Sequence, residues 1–124
     1  MKKTLLLSLL LLISLMVQAQ NEITIDGKVA NVKDGLVVSL FRRDGRVGST
    51  IAQDTIENGR FDFKVKPEKE LDKLSLFVHS TDFPSMSREV YASPNAHIQV
   101  NGKDNLIYTW EVKSNVKEQK ESDR

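Results

Sequence analysis

The chain of 124 residues is long enough for one domain and too short for two. Its 18 basic and 17 acidic residues give a formal charge of +1, which provides no electrostatic basis for binding nucleic acid or an anionic membrane surface. The sequence contains no cysteine, which excludes disulfide bonds, thiol redox chemistry, thiolate metal sites and lipid attachment through an N-terminal cysteine.

Residues 1–19 have the pattern of a secretory signal peptide. Lys2 and Lys3 precede an apolar run from Leu5 to Val17, and Ala19 supplies a small residue at a cleavage point. An uncleaved membrane anchor is the alternative, but a spanning helix needs about 20 apolar residues, more than this run contains. We therefore expect a periplasmic or secreted protein with no transmembrane segment after cleavage. Loss of the two lysines takes its formal charge from +1 to −1.

Two strands are predicted first in the mature chain. Residues 22–29 alternate apolar with polar side chains, which predicts a strand with one apolar face. Gly27 falls in the inward register, which indicates a bulge or the close approach of another backbone. After a turn at Asp34-Gly35, residues 36–43 predict a second strand whose two faces are both partly covered. A polar, glycine-containing loop follows.

The Asn58-Gly59 dipeptide is the strongest turn signal in the chain. Both residues tolerate the positive φ that a two-residue type I′ turn requires, so strands at 50–57 and 60–66 are predicted to form a hairpin. Beyond the turn, Phe61 and Phe63 alternate with charged residues and predict one apolar face.

Three further strands are predicted at residues 74–79, 88–92 and 96–101. Strands separated by turn signals at intervals of about 8–12 residues are typical of sandwiches and barrels. Residues 20–112 are therefore predicted to form an all-β domain, an antiparallel β-sandwich of about seven strands and of immunoglobulin-like or transthyretin-like type.

The end of the chain is less regular. Residues 103–112 fit either a strand or a helical turn, because their apolar side chains suit both spacings. Residues 113–124 are predicted to be a polar tail. Asn115 followed by Glu118 resembles a helix start, but Val116 is the only apolar residue there, and we expect the tail to be frayed or disordered.

Four motifs follow one another in the mature chain: Ile25-x-Gly27-x-Val29, Asp34-Gly35 with Val38-x-Leu40, Asp54-x-x-x-x-Gly59-x-Phe61-x-Phe63, and Pro94 before Ile98-x-Val100-x-Gly102. This series resembles the domains of unknown function that precede thioredoxin-like and peroxiredoxin-like domains in envelope proteins of certain Gram-negative bacteria. The resemblance covers residues 22–112. It implies a β-sandwich in the periplasm or outer envelope, and it carries over no catalytic residue. The thioredoxin-like part is absent here, so the resemblance implies a stand-alone copy or a truncated product.

Few residues resemble a reaction centre. His79, Ser80, Asp82 and Ser85 are the only cluster with the residue types of a nucleophile, base and orienting group, but no nucleophile-elbow glycines surround either serine. A polar turn at a strand end is the favoured interpretation. His79 and His97 lack ligand partners at suitable spacing, which favours surface histidines over a metal site. We predict no catalytic residue, no metal and no cofactor, and hence no enzyme.

Five residues are candidates for ligand binding. Tyr108 and Trp110 could form an exposed platform for a sugar or a partner; the alternative is that they cover the open end of the sandwich. Arg42, Arg43 and Arg46 could bind a phosphate or an acidic glycan, although a three-arginine loop more often serves solubility.

Two functions of different classes are compatible with the sequence. The first is a non-catalytic interaction or accessory module, whose partner is a thioredoxin-like domain or another envelope protein. The second is a module that binds a glycan or another small ligand. An exposed sheet edge at residues 88–91 could accept a partner strand, but charged Arg88 and Glu89 suit edge protection.

Overall fold

The computed structural model describes residues 21–44, 47–81, 83 and 86–123, and the predicted signal peptide at 1–19 lies outside them. Eight strands form two sheets: β1 (Ile23–Val29), β2 (Val37–Asp44), β3 (Val47–Thr55), β4 (Arg60–Val65), β5 (Asp72–His79), β6 (Arg88–Ala92), β7 (His97–Gly102) and β8 (Glu111–Ser114). A 3-10 helix at Ile107–Thr109 precedes β8, and helix α1 (Lys117–Ser122) follows it. No helix in the described part of the chain has the length and apolar character needed to cross a membrane.

The first sheet has the strand order β4-β1-β7-β8 and the second has the order β3-β2-β5-β6. The predicted all-β sandwich is therefore confirmed, with eight strands rather than about seven. All strand pairs are antiparallel except β1 with β7, which is parallel. The additional strand is β8. Residues 103–112, which fitted both a strand and a helical turn, contain the 3-10 helix and the start of β8.

The core lies between the inner faces of the two sheets. Alternate residues of β1 and β4 are buried, as the apolar alternation predicts. Ile25, Phe63, Leu40, Leu76 and Val100 are at most 3% exposed and come from both sheets. Burying this apolar surface is what holds the sheets together, since the chain has no disulfide.

The Asn58-Gly59 turn forms as predicted. Asn58 has φ of 52° and Gly59 has φ of 72°, and the flanking Glu57 and Arg60 exchange two backbone hydrogen bonds of 3.1 and 3.0 Å. A side chain on Gly59 would also collide with the carbonyl oxygen of Val29. Glycine is therefore required here both for its backbone angle and for space.

The predicted hairpin around this turn is wrong beyond the turn itself. β3 pairs with β2 in the second sheet, whereas β4 pairs with β1 in the first. The chain changes sheet because Ile56 is fully buried and its backbone bonds to the segment before β2, donating to the Leu36 carbonyl and accepting from the Gly35 N–H, both at 2.8 Å. The turn is thus a corner between the sheets.

Two glycines make room for aromatic rings. Gly27 lies opposite Phe61 in the β1–β4 register, and a Cβ atom at Gly27 would overlap the Phe61 ring. Gly102 is covered in the same way by the ring of Trp110. The sequence predicted a bulge or another backbone beside Gly27; the structure corrects this, because a neighbouring ring fills the space.

The C-terminal segment forms helix α1 and packs against β6, in contrast to the predicted frayed or disordered tail. Val116 occupies the N-cap position of this helix, one residue after Asn115, the predicted helix start. Val116 is 4% exposed and Gln119 is 1% exposed. The amide of Gln119 accepts a hydrogen bond from the Tyr91 N–H at 2.7 Å and donates to the Glu89 carbonyl at 3.3 Å. The tail docks through a polar side chain that pairs with the edge of β6, which apolar content alone could not indicate.

The substitution Gln119→Ala is expected to lower the free energy of unfolding by about 1–2 kcal/mol, because it leaves two backbone groups of β6 without partners. Urea unfolding would measure this loss, and hydrogen exchange at the Tyr91 amide should become faster. Lys120→Ala, a change at an exposed neighbour in the same helix, serves as the control. Unchanged exchange at Tyr91 in the Gln119 variant would contradict this role.

Candidate functional site: the outer face of the second sheet

The outer faces of the two sheets differ in chemistry. The first sheet presents only polar and charged side chains: Thr24, Asp26, Lys28, Arg60, Asp62, Lys64, His97, Gln99, Asn101, Glu111 and Lys113. The second sheet presents apolar and aromatic side chains among its polar ones: Val37, Phe41, Phe77 and Tyr91. Apolar groups that face away from a core often mark a binding surface, so the outer face of the second sheet is the candidate functional site.

An aromatic cluster of Phe41, Phe77 and His79 occupies this face. The ring centroids of Phe41 and Phe77 lie 6.3 Å apart at 79°, and those of Phe77 and His79 lie 5.0 Å apart at 78°. Both contacts are edge-to-face, the favourable arrangement for aromatic rings. Leu40 and Leu76 are fully buried beside them, which places the cluster on the opposite side of the sheet from the core.

A row of hydrogen bonds links side chains of three neighbouring strands and includes His79 of the aromatic cluster. The Ser39 hydroxyl lies 2.7 Å from His79 Nε2, and Gln53 Nε2 donates to the same hydroxyl at 3.0 Å. Because the hydroxyl already accepts from Gln53, it can donate to an imidazole that carries its proton on Nδ1. Ser39 is 0% exposed, so its oxygen cannot meet a substrate carbonyl in this arrangement. The row therefore fastens β3, β2 and β5 together.

The polar cluster singled out in the sequence does not assemble around His79 in the described residues. The imidazole bonds to Ser39, which is 40 residues earlier, and Asp82 and Ser85 lie outside the described residues. His97 lies on the outer face of the first sheet, where its Nδ1 is 2.7 Å from the Thr24 hydroxyl. The two histidines thus face opposite directions and cannot share a metal ion.

Arg42 and Arg43, two of the three arginines predicted to act together, lie on opposite faces of β2. Arg42 is only 8% exposed, and its guanidinium forms ion pairs with Asp72 at 3.3 Å and Glu68 at 3.2 Å. It also donates to the Lys66 carbonyl at 2.8 Å. Arg42 therefore fixes the segment before β5, and its assignment as a ligand-binding residue is corrected. Arg43 is exposed on the outer face of the second sheet, and Arg46 lies outside the described residues.

Trp110 and Tyr108 do not form a joint platform. Trp110 is 1% exposed, its ring packs 6.0 Å from Phe61 and 6.3 Å from Phe83, and its Nε1 donates to the Asp104 carbonyl at 2.9 Å. Tyr108 is 51% exposed. The alternative prediction, burial against the open end of the sandwich, is correct for Trp110, so the ligand-binding assignment of its ring is corrected.

The two edge strands of the second sheet, β6 and β3, differ in how they are protected from pairing with another strand. The edge of β6, the predicted docking edge, is covered at Glu89 and Tyr91 by the Gln119 amide. The opposite edge, β3, is nine residues long, and it carries no charged residue from Val47 to Gln53. Val47 is 73% exposed. Charged side chains and covering segments are the usual protection of an edge; within the described residues β3 has neither from Val47 to Gln53, so it is the open edge of this face.

Only the far end of β3 is closed. The carboxylate of Asp54 accepts hydrogen bonds from the Thr55 N–H at 2.9 Å and from the Asp62 N–H of β4 at 2.8 Å. This side chain links the margins of the two sheets next to the corner turn. The stretch from Val47 to Gln53 is therefore the part of β3 that remains available for pairing.

A polar groove of about 780 Å³ lies on the outer face of the first sheet. Its polar lining consists of four carboxylates, two cations, two amides and one hydroxyl: Asp26, Asp54, Glu57, Asp62, Lys28, Arg60, Gln99, Asn101 and Thr55. Sequence reasoning did not single out these residues for ligand binding, because each one occupies an ordinary polar position in a strand or beside a turn.

Comparison with protein-family models, with curated proteins and with solved structures finds no match to this chain. The resemblance to domains that precede thioredoxin-like domains therefore stays a prediction. The candidate site rests on its own geometry.

Proposed function

We propose that this chain is a non-catalytic interaction module that docks a protein partner on the outer face of the second sheet. The observation that carries the proposal is the aromatic cluster of Phe41, Phe77 and His79, which is partly exposed to solvent and lies on the two strands next to the open edge of β3. Apolar rings beside a free edge combine the two features by which sheets recruit a partner: burial of apolar area and backbone pairing.

The location and partner belong to the same proposal. The basic and apolar N-terminal residues support export, and the family resemblance supports a thioredoxin-like domain or another envelope protein as the partner. The burial of the Ser39 hydroxyl supports a role without catalysis, because the serine oxygen has no access to a substrate.

The test compares capture of a partner by three forms of the protein, each purified from cells that express the full sequence. Phe77→Ser removes the centre of the aromatic cluster, and Lys64→Ser is the control, a change at an exposed position of the first sheet outside the polar groove. We expect the wild-type protein and the Lys64 variant to capture the same envelope protein, and Phe77→Ser to lose it at least about tenfold. If Phe77→Ser captures the partner as well as the wild-type protein does, and its circular dichroism is unchanged, the proposal is contradicted.

A second candidate function is favoured by the polar groove of the first sheet. Carboxylates and amides in one groove are the groups that hydrogen-bond sugar hydroxyls, which supports a glycan-binding module. Titration with neutral oligosaccharides, followed by NMR, should then shift the amide signals of Gln99 and Asn101. Shifts on the second sheet instead would argue against this groove.

A further inference from the structure

Two cations lie side by side at one end of the outer face of the second sheet. The β2–β5 register runs to Arg42 opposite Leu74, so its next step places Arg43 beside Lys73. Both side chains are exposed, and neither has an ion-pair partner among the side chains that the structure describes. Like charges on neighbouring strands repel, so an anion placed between them relieves repulsion as well as gaining attraction.

A cleft of about 310 Å³ lies next to these cations and is lined also by Ser75, Glu89 and Tyr91. Ser75 is 5% exposed and adds a hydroxyl to the lining. Among the residues that line the cleft, Glu89 is the one carboxylate, so this lining carries one more positive than negative charge.

Of the two cations, Arg43 lies next to the open edge. Gly48 lies opposite Arg43 in the β2–β3 register, and the Arg43 side chain passes 3.8 Å from the place where a Gly48 side chain would begin. With no side chain at Gly48, a strand bound along β3 meets the guanidinium directly. Phe41 lies two residues from Arg43 on the same face, opposite the small Thr50.

We infer that the partner supplies an extended acidic segment, which pairs with β3 between Val47 and Gln53. Its carboxylate binds Arg43, where the positive charge of Lys73 on the next strand adds to the attraction, and an apolar side chain two residues away packs on Phe41. Side chains two residues apart on a strand are separated by about 7 Å on one face, which matches the alternation of cation and ring. Backbone pairing supplies affinity and the two side chains supply specificity. This inference rests on the proposed function.

The test uses synthetic peptides of about eight residues, a usual strand length, with alternating threonine and valine. One peptide carries a glutamate in place of one valine, and the matched peptide carries a lysine there. Calorimetry should show the glutamate peptide binding the wild-type protein at least about tenfold more tightly than the lysine peptide. NMR should place the shifted amides in Val47–Gln53.

Charge reversal gives the decisive comparison. Arg43→Glu should weaken the glutamate peptide at least about tenfold and strengthen the lysine peptide, and Arg43→Gln should weaken the first without strengthening the second. Lys64→Glu, the same change on an exposed strand position of the first sheet, is the control and should leave both affinities unchanged.

Three results would overturn the inference: equal affinities for the two peptides, no effect of Arg43→Glu, or no binding of the glutamate peptide at about 1 mM. If capture of a partner is lost with Phe77→Ser but kept with Arg43→Glu, the inference of an acidic segment is overturned and the proposed interaction module stands. If neither substitution reduces capture, both the inference and the proposed function are overturned.

Discussion

Replacement of Trp110 by alanine is expected to lower the free energy of unfolding by about 3–5 kcal/mol, the usual cost of truncating a large buried aromatic residue. The ring lies between Phe61 and Phe83 and covers Gly102. Its removal leaves a cavity that these neighbours cannot fill without moving. Urea unfolding, followed by circular dichroism, would measure the change.

Tyr108→Ala is the matched control, because Tyr108 is two residues away and half exposed. Its unfolding free energy should stay within about 0.5 kcal/mol of the wild-type value. Equal losses from the two substitutions would contradict the assignment of Trp110 to the core. A ligand whose binding disappears with Trp110→Ala at unchanged stability would also contradict it, since that is the behaviour of an exposed platform.

Replacement of Arg42 by methionine is expected to cost about 3–5 kcal/mol, because it leaves a buried carboxylate without its cation. Asp72 is 1% exposed and lies 3.3 Å from the guanidinium. Methionine fills much of the volume of the arginine stem, so the loss reports the missing charge more than a cavity. The midpoint of urea unfolding gives the measurement.

Arg43→Met controls for the loss of one positive charge from the same strand and should change stability by no more than about 0.5 kcal/mol. The double variant Arg42→Met with Asp72→Asn removes both charges and keeps an acceptor for the Glu68 N–H, which Asp72 binds at 3.0 Å. It should recover much of the stability lost in the single variant. A double variant no more stable than Arg42→Met alone would show that the ion pair is not the cause.

Local alternation of side chains was enough to predict most of the strands, and the Asn58-Gly59 dipeptide was enough to predict a turn there, although not that the turn joins two sheets. It assigns the faces of a strand but not its neighbours, and this is why β3 and β4 were paired wrongly. The decisive residue is Ile56, whose burial sends the chain into the other sheet. A single apolar residue beside a turn carries no local signal of that change.

The candidate site was only partly accessible from the sequence. Arg43 was singled out correctly as a residue at the surface, but Arg42 and Trp110 have structural partners that lie 30 and 49 residues away, Asp72 and Phe61. The contact between Ser39 and His79 spans 40 residues in the same way. Only the order of strands within the sheet brings such pairs together, and alternation along one strand does not specify that order.

The parallel pairing of β1 with β7 determines when the first sheet can be completed. Thr24 and Ala96 meet across 72 residues, and β1 lies between β4 and β7 in the middle of its sheet. During synthesis, one flank of this central strand must wait until the chain has been made past residue 102. Closing so long a loop is slow relative to local pairing. The folding rate of this protein should therefore be limited by the pairing of β1, its first strand, with β7, one of its last.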